Sequence, residues 1–405
     1  MQRAIAAAGP TVLRIGEARS TRYALTRDVL GAGRSWSISS IEVSGTTSPV
    51  ATLHALQQDH WYVESSYPNA PRYLQLGSDR SVFYGLPWYL DVFRPDGFAG
   101  RNLVHQWARV LGAPADLRDW TWDHILIAAV RGVTDPPGNW MIGSAISHRN
   151  PPPVVAEGER PDAYARLAAN AIAGESVGSS TGGEQPKFTA FVDRNDGRHE
   201  LIVKFSPPQD QPAGRRWADL LVCEHIAADL LRDHGVPTPR TELIDAGARL
   251  CLEVERFDRV GQHGRRGTCL LSAITPALGG PATTWLAAVR FLYERDLVAQ
   301  TVVDRVEFLE EFGQCIGNTD RHLGNLSLML DGGPPFTLAP IYDMLPMLYR
   351  PTAAGELVER ELPELHVQSG AQALANEFWQ RVCDHALVSE EFRRIAQMNT
   401  PQNLR

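Results

Sequence analysis

The chain has no apolar run of 18 residues or more, so no transmembrane helix is expected. It has no C-x-x-C pair: its five cysteines, Cys223, Cys251, Cys269, Cys315 and Cys383, are odd in number and scattered. Neither a disulfide framework nor a cysteine zinc site is indicated, and reduced, mostly buried thiols are expected. The two common phosphate-loop signatures, G-x-x-x-x-G-K-[ST] and G-x-G-x-x-G, are both missing. His54, His60, His105 and His124 lack metal-ligand spacing and read as ordinary histidines. There is no internal repeat and no low-complexity tract. The opening MQRAIAAAGPTVLRIG is too short and too polar for a secretory leader, so a cytoplasmic location with no membrane partner is the expectation. A net charge of −8 excludes a nucleic-acid coat spread over the whole surface. What remains is an ordinary globular composition, 43% hydrophobic and 21% charged, in 405 residues. That length suits about two to three domains.

The first 35 residues carry Arg3, Arg14, Arg19, Arg22, Arg27 and Arg34 against Glu17 and Asp28. QRAIAAA reads as a helix end, followed by strands Thr11 to Ile15 and Thr21 to Leu25. A helix and an arginine-studded hairpin look like the tail of a winged helix-turn-helix, with Arg19 and Arg22 placed to reach DNA phosphates. A surface hairpin with solvated arginines fits equally well. A complete winged domain needs two more helices, so autonomous DNA binding is not expected. Further on, Trp36 to Val43 and Trp61 to Glu64 read as strands, with HALQQ helical between them. Leu103 to Leu111 and His124 to Gly132 read as helices. The run NPPPVVAEGERPDA, residues 150–163, reads as a linker, and a helix is expected over Tyr164 to Ala173.

The chemistry starts at Gly174. GESVGSSTGGEQPK can bring backbone N–H groups onto phosphates, although a plain hairpin turn has the same composition. After it come strands Phe188 to Val192 and Glu200 to Phe205, joined by Asn195-Asp196-Gly197. Lys204 lies in LIVKF among apolar neighbours, where a lysine is costly unless it meets an anion. A helix over Ala218 to His234 places Glu224 20 residues beyond Lys204. A helix glutamate paired with the strand lysine, as in kinases, and a solvated helix glutamate are even alternatives. Two strands then lead into Glu255-Arg256-Phe257-Asp258-Arg259, and from about residue 270 the pattern turns helical.

Within Gly313 to Asp343, Asp320 is followed five residues later by Asn325, and beyond a short strand and a Gly/Pro turn by Asp343. Phosphoryl transfer uses this layout: one aspartate orients the attacking hydroxyl, while an asparagine and a second aspartate hold Mg²⁺. D-x4-N alone is a common accident. The order of loop, strand lysine, helix glutamate, strands, helices and D-x4-N is what gives it weight.

SSTGGEQPK, LIVKF, VERFDR, GNTDRHLGN and LAPIYD together resemble the HipA family of serine/threonine kinases, bacterial toxins of type II toxin–antitoxin systems. The GGEQPK loop and the winged-helix-like start are similar to its YjjJ (HipH) branch. The resemblance implies an α+β, two-lobed protein-kinase-like (HipA-like) fold. It would have a mixed N-terminal lobe and a helical C-terminal lobe, preceded by a partial winged-helix-like segment. It implies a winged-helix remnant over 1–35, a HipA N-terminal subdomain-like region over 36–150, a kinase N-lobe over 151–265 and a helical C-lobe over 266–405.

By the same resemblance Asp320 is catalytic, Asn325 and Asp343 ligate Mg²⁺, and Lys204 contacts ATP phosphates. Backbone amides of Thr181, Gly182, Gly183 and Glu184 line the phosphate loop, Glu255 and Phe257 lie near the adenine, and His322 organises the catalytic loop. Ser180 or its neighbour Ser179 matches a serine that such kinases autophosphorylate. That would add about −1.5 to −2 charges where the ATP phosphates sit. The implied partners are a protein substrate, in the family an aminoacyl-tRNA synthetase, and an antitoxin. Two rival readings are a small-molecule phosphotransferase, which shares D-x4-N, and a DNA-binding regulator with an inert kinase part.

Overall fold

The computed structural model describes residues 11–16, 21–65, 67–68, 70–132, 135–143, 152–174, 185–363 and 369–400. The QRAIAAA segment, Arg19 and the whole run from Glu175 to Glu184 lie outside them. Among the described residues, no helix is long and apolar enough to cross a membrane.

The expected arginine-bearing hairpin is present as β1 (Val12–Ile15) and β2 (Arg22–Leu25). Next comes an antiparallel sheet of β3 (Ser35–Ile41), β4 (Thr47–Ala55), β5 (His60–Glu64), β6 (Val82–Tyr84) and β7 (Trp140–Ile142). Its strand order is β6-β5-β4-β3-β7. HALQQ is not helical. His54 and Ala55 end β4, and Gln58 and Asp59 turn the chain at positive φ, +59° and +56°. The pairing of His54 with Tyr62 and Ala55 with Trp61 overrides the helix preference of Ala, Leu and Gln. A 3₁₀ turn (Trp88–Phe93), α1 (Gly97–Leu111) and α2 (Trp122–Val130) follow the fourth of these strands.

The stretch read as a linker is structured. β8 (Val154–Ala156) pairs in parallel with β9 (Lys187–Arg194), and α3 (Arg160–Ile172) follows at once. Pro161 suits the first helical turn, where no amide hydrogen bond is needed. Two β-branched valines after three prolines make a short edge strand, which composition alone presents as a linker. β9 turns at Asn195-Asp196 into β10 (Gly197–Phe205). α4 (Pro212–Asp233) then ends at Gly235, φ +73°, before β11 (Thr241–Asp245) and β12 (Leu250–Glu255). This sheet runs β11-β12-β10-β9-β8.

The rest is mostly helical. A small hairpin of β13 (Arg259–Val260) and β14 (Gly264–Arg265) precedes β15 (Thr268–Leu270) and α5 (Leu271–Ala277). Helices α6 (Trp285–Tyr293) and α7 (Gln300–Cys315) lead to β16 (Ser327–Met329) and β17 (Thr337–Leu338). The final helices are α8 (Ser369–Asp384) and α9 (Glu390–Asn399). Residues 351–363, which the sequence suggests are part of a helical C-terminus, are irregular. Pro351 and Pro363 bracket them, and proline interrupts helical hydrogen bonding.

The core of the first sheet continues without a break into that of the helical part. Phe336, just before β17, is fully buried against Tyr73 at 5.5 Å and Trp88 at 6.4 Å between ring centroids. Edge-to-face aromatic contacts of this kind add to the apolar burial. The outer face of the second sheet has a separate core with α3, built on Tyr164, Phe188 and Phe205.

Candidate active site

On β10 the alternation of strand side chains divides the residues between two environments. Leu201, Val203 and Phe205 enter the core with α3, whereas Ile202 and Lys204 face a cleft of about 170 Å³. Glu255, Phe257, His322, Asn325 and Asp343 line the same cleft. Asp320 joins them through Asn325, whose amide nitrogen donates to the Asp320 carbonyl oxygen at 2.9 Å. Lys204, Glu255, Phe257, Asp320, His322, Asn325 and Asp343 are therefore brought together. Ser179, Ser180, Thr181, Gly182, Gly183 and Glu184 lie outside the described residues.

Lys204 is 4% exposed and its ammonium meets two carboxylates. It donates to Glu224 Oε1 on α4 at 2.5 Å and to Asp343 Oδ1. Burial would lower the lysine pKa, but Asp343 and Glu224 override it and raise it. Burial raises the Glu224 carboxyl, against the pull of Lys204. Asp343 is held below its ordinary range by Lys204 and Lys187 although burial opposes this. Of the two readings of Glu224, the paired one is what the structure has. Asp343 itself sits at φ +55°, a left-handed conformation tolerated by aspartate more readily than by bulkier residues.

The catalytic-loop candidates are wired to one another. Asn318, 1% exposed, accepts the Asp320 N–H at 3.0 Å and donates toward the Asp343 carbonyl oxygen at 3.4 Å. His322 is exposed; its Nδ1 accepts the Gly324 N–H at 3.0 Å, and its carbonyl oxygen accepts the Trp285 indole N–H at 2.8 Å. Both contacts tie it to its own loop and to α6. Tyr342 lies nearly parallel to Phe257, 22° and 5.9 Å between ring centroids, and its hydroxyl meets Ser327 Oγ at 2.7 Å.

Three residues of this site escaped the motif reading. Lys187 lies directly across from Lys204 and lines the cleft. The two-residue turn at Asn195-Asp196 contained that information. Counting seven residues outward on both strands from Arg194 and Gly197 reaches Lys187 and Lys204. Burial lowers the Lys187 pKa to about 8, with Asp343 opposing and Lys204 reinforcing the shift. Asn318 and Tyr342 fall within GNTDRHLGN and LAPIYD, but nothing in their local sequence marks them apart from the residues given roles there.

The sequence profile of the YjjJ-like toxin middle domain matches residues 32–150, and that of the HipA-like C-terminal domain matches residues 179–400. The chain belongs to the HipA-like toxin family. It is 36% identical over 407 aligned positions to Toxin YjjJ of Escherichia coli (strain K12), covering 97% of this chain and 89% of that one. Among solved structures it is similar to HipA of Shewanella oneidensis MR-1, from a complex with HipB and operator DNA. The TM-score is 0.52 at 13% identity, covering 90% of this chain and 91% of the other. This HipA-like toxin is thus a mixed α/β protein with the family's fold.

The donor chemistry of the cleft suits Mg²⁺. Asp343 offers a carboxylate, and Asn325, with its amide nitrogen committed to Asp320, offers an amide oxygen. Hard oxygen donors of this kind are the Mg²⁺ set in kinases, and a thiolate- or imidazole-seeking metal would find less here.

Proposed function

We propose that this HipA-like toxin is an ATP- and Mg²⁺-dependent serine/threonine protein kinase that arrests growth by modifying a protein. The supporting observation is the convergence of Lys204, Glu224 and Asp343 from three elements, with Asn325 and Asp320 alongside. Lys204 and Lys187 receive the triphosphate, because each is a buried cation facing the cleft. The segment from Glu255 to Phe257, with Tyr342 behind it, receives the adenine. Asp320 orients the acceptor hydroxyl and takes its proton, and Asn318 fixes Asp320 relative to Asp343. Mg²⁺, held by Asn325 and Asp343, would neutralise charge on the transferred phosphoryl group. Catalysis is then positioning and charge compensation, which is what this transfer requires. Autophosphorylation at Ser180 or Ser179 would place a dianion in the phosphate site and shut it. By analogy with the HipA–HipB complex, an antitoxin protein is the expected partner. Any DNA contact would run through the N-terminal hairpin that carries Arg22.

Transfer of γ-labelled phosphate from ATP to protein fractions, compared with small alcohols as acceptors, tests the reading. Label in protein that depends on Asp320 and Mg²⁺ is the expected result. Label only in small alcohols would replace the protein kinase by a small-molecule phosphotransferase.

A further inference from the structure

VERFDR separates by alternation into two sets. Glu255 and Phe257 are partly open to the cleft, while Arg256 and Asp258 are buried. The buried set reaches outside the kinase-like lobes, to a loop just before β7. There Asp135 accepts from three arginines: Arg256 Nη1 at 3.2 Å, Arg259 Nη2 at 3.0 Å and Arg265 Nη2 at 2.8 Å. The same loop supplies Pro136 O and Gly138 O as acceptors for Arg259, at 3.1 and 3.3 Å, and Gly138 N–H as a donor to Asp258 at 2.8 Å. Glu200 and Asp258 complete the cluster, each bonded to Arg256 and Arg259.

The cluster is balanced at three guanidiniums and three carboxylates. The Arg265 pKa is lowered by burial and by Arg259, which shows how crowded the cations are. Remove Asp135, and three buried guanidiniums share two carboxylates. Repulsion then acts on Arg256 and Arg259, which flank Phe257 in the chain. The loop also touches the cleft directly: Pro137 lines it, as do Val92 and Asp96 from the same part of the chain. A Cβ at Gly138, φ +83°, would stand 3.3 Å from Thr268, another lining residue, so the fit there is close.

We propose that Asp135 is a positioning residue for the nucleotide site. Residues 135–138 hold the Glu255–Phe257 segment in the shape that receives a purine base. Part of the base-binding wall therefore belongs to the region outside the two kinase-like lobes. This rests on the kinase reading given above.

The test uses the full chain, a fluorescent ATP analogue and inorganic tripolyphosphate, which probes the phosphate end without a base. Affinities are measured well below the unfolding midpoint of each variant. Asp135→Asn is expected to weaken the nucleotide by about tenfold while leaving tripolyphosphate binding at the parental value. Parental nucleotide affinity in Asp135→Asn overturns the proposal, and so does an equal loss of both probes, which marks general unfolding. If Asp135→Asn does not fold, Asp135→Asn with Arg265→Gln restores the charge balance and carries the comparison. The double variant should lose about threefold in nucleotide affinity and nothing in tripolyphosphate affinity. Unchanged nucleotide affinity in it overturns the proposal. A parent chain that binds neither probe overturns the kinase reading instead.

Discussion

Lys204 bridges Glu224 and Asp343, so one strand lysine ties helix α4 to the loop after β17. Glu224 comes from α4 and Asp343 from the loop after β17, and the lysine donates to both. A triphosphate entering the cleft would compete with Asp343 for Lys204 and free that carboxylate for a metal. Glu224 would then keep the lysine in place.

Breaking this buried pair on one side leaves an uncompensated charge. Lys204→Met should destabilise the fold by about 3–5 kcal/mol. Lys204→Met with Glu224→Met should regain part of that, because the Glu224 charge is no longer stranded while Asp343 keeps only the nearby Lys187. Phosphotransfer should be absent from both. Urea unfolding, read beside activity, checks this; a single variant as stable as the parent would contradict it.

Lys187 should make nucleotide binding pH-dependent. Its pKa in the folded chain is about 8, below its ordinary 10.5, because burial disfavours the charged form. Between those values the unfolded chain holds a proton that the folded one lacks, so this group's contribution to stability rises with pH across the window. A bound phosphate favours the charged lysine, so binding near the folded pKa takes up a proton and affinity falls as pH rises through it. Calorimetry in two buffers of different ionisation enthalpy should show proton uptake in the parent and none in Lys187→Gln. Proton release would refute the assignment.

Asn318 couples the two aspartates. Asn318→Ala strands the Asp320 N–H and loosens Asp343 at once. The expected loss is about 1–3 kcal/mol of stability, with a larger fall in kcat than in nucleotide affinity. Steady-state kinetics with ATP varied will separate the two.

Tyr342 should divide into two functions. Tyr342→Phe loses the hydroxyl contact with Ser327, worth about 1 kcal/mol, and keeps the ring against Phe257. Its nucleotide affinity should stay near the parental value. Tyr342→Ala removes the ring as well and should weaken nucleotide binding. Equal affinities in the two variants would show that the ring plays no part.

Much of the site was legible because its signals are local. The apolar run around Lys204 is a strand with one face toward the cleft, and D-x4-N places Asp320 and Asn325 on one loop. Glu224 was readable only as an even alternative, since its orientation depends on how α4 docks. Lys187 needed the register of a hairpin, and Asp135 needed a contact 121 residues away in sequence, to Arg256. Such pairings leave no trace in local composition. The misread segments have the same origin. HALQQ has helical residues but lies where β4 finds a partner, and the proline-rich run before Arg160 contains an edge strand. In VERFDR, Glu255 and Phe257 line the cleft, while Arg256, Asp258 and Arg259 hold the segment to a different part of the chain.

The central claim is phosphoryl transfer by Asp320 in a cleft that controls itself through its own loop. The direct measurement is to incubate the purified chain with Mg²⁺-ATP and map phosphate by mass spectrometry, beside Asp320→Asn. Phosphate on Ser179 or Ser180 in the parent, and none in the variant, is the predicted result. No phosphate on any residue together with no nucleotide binding, or the same phosphate in Asp320→Asn, would contradict it.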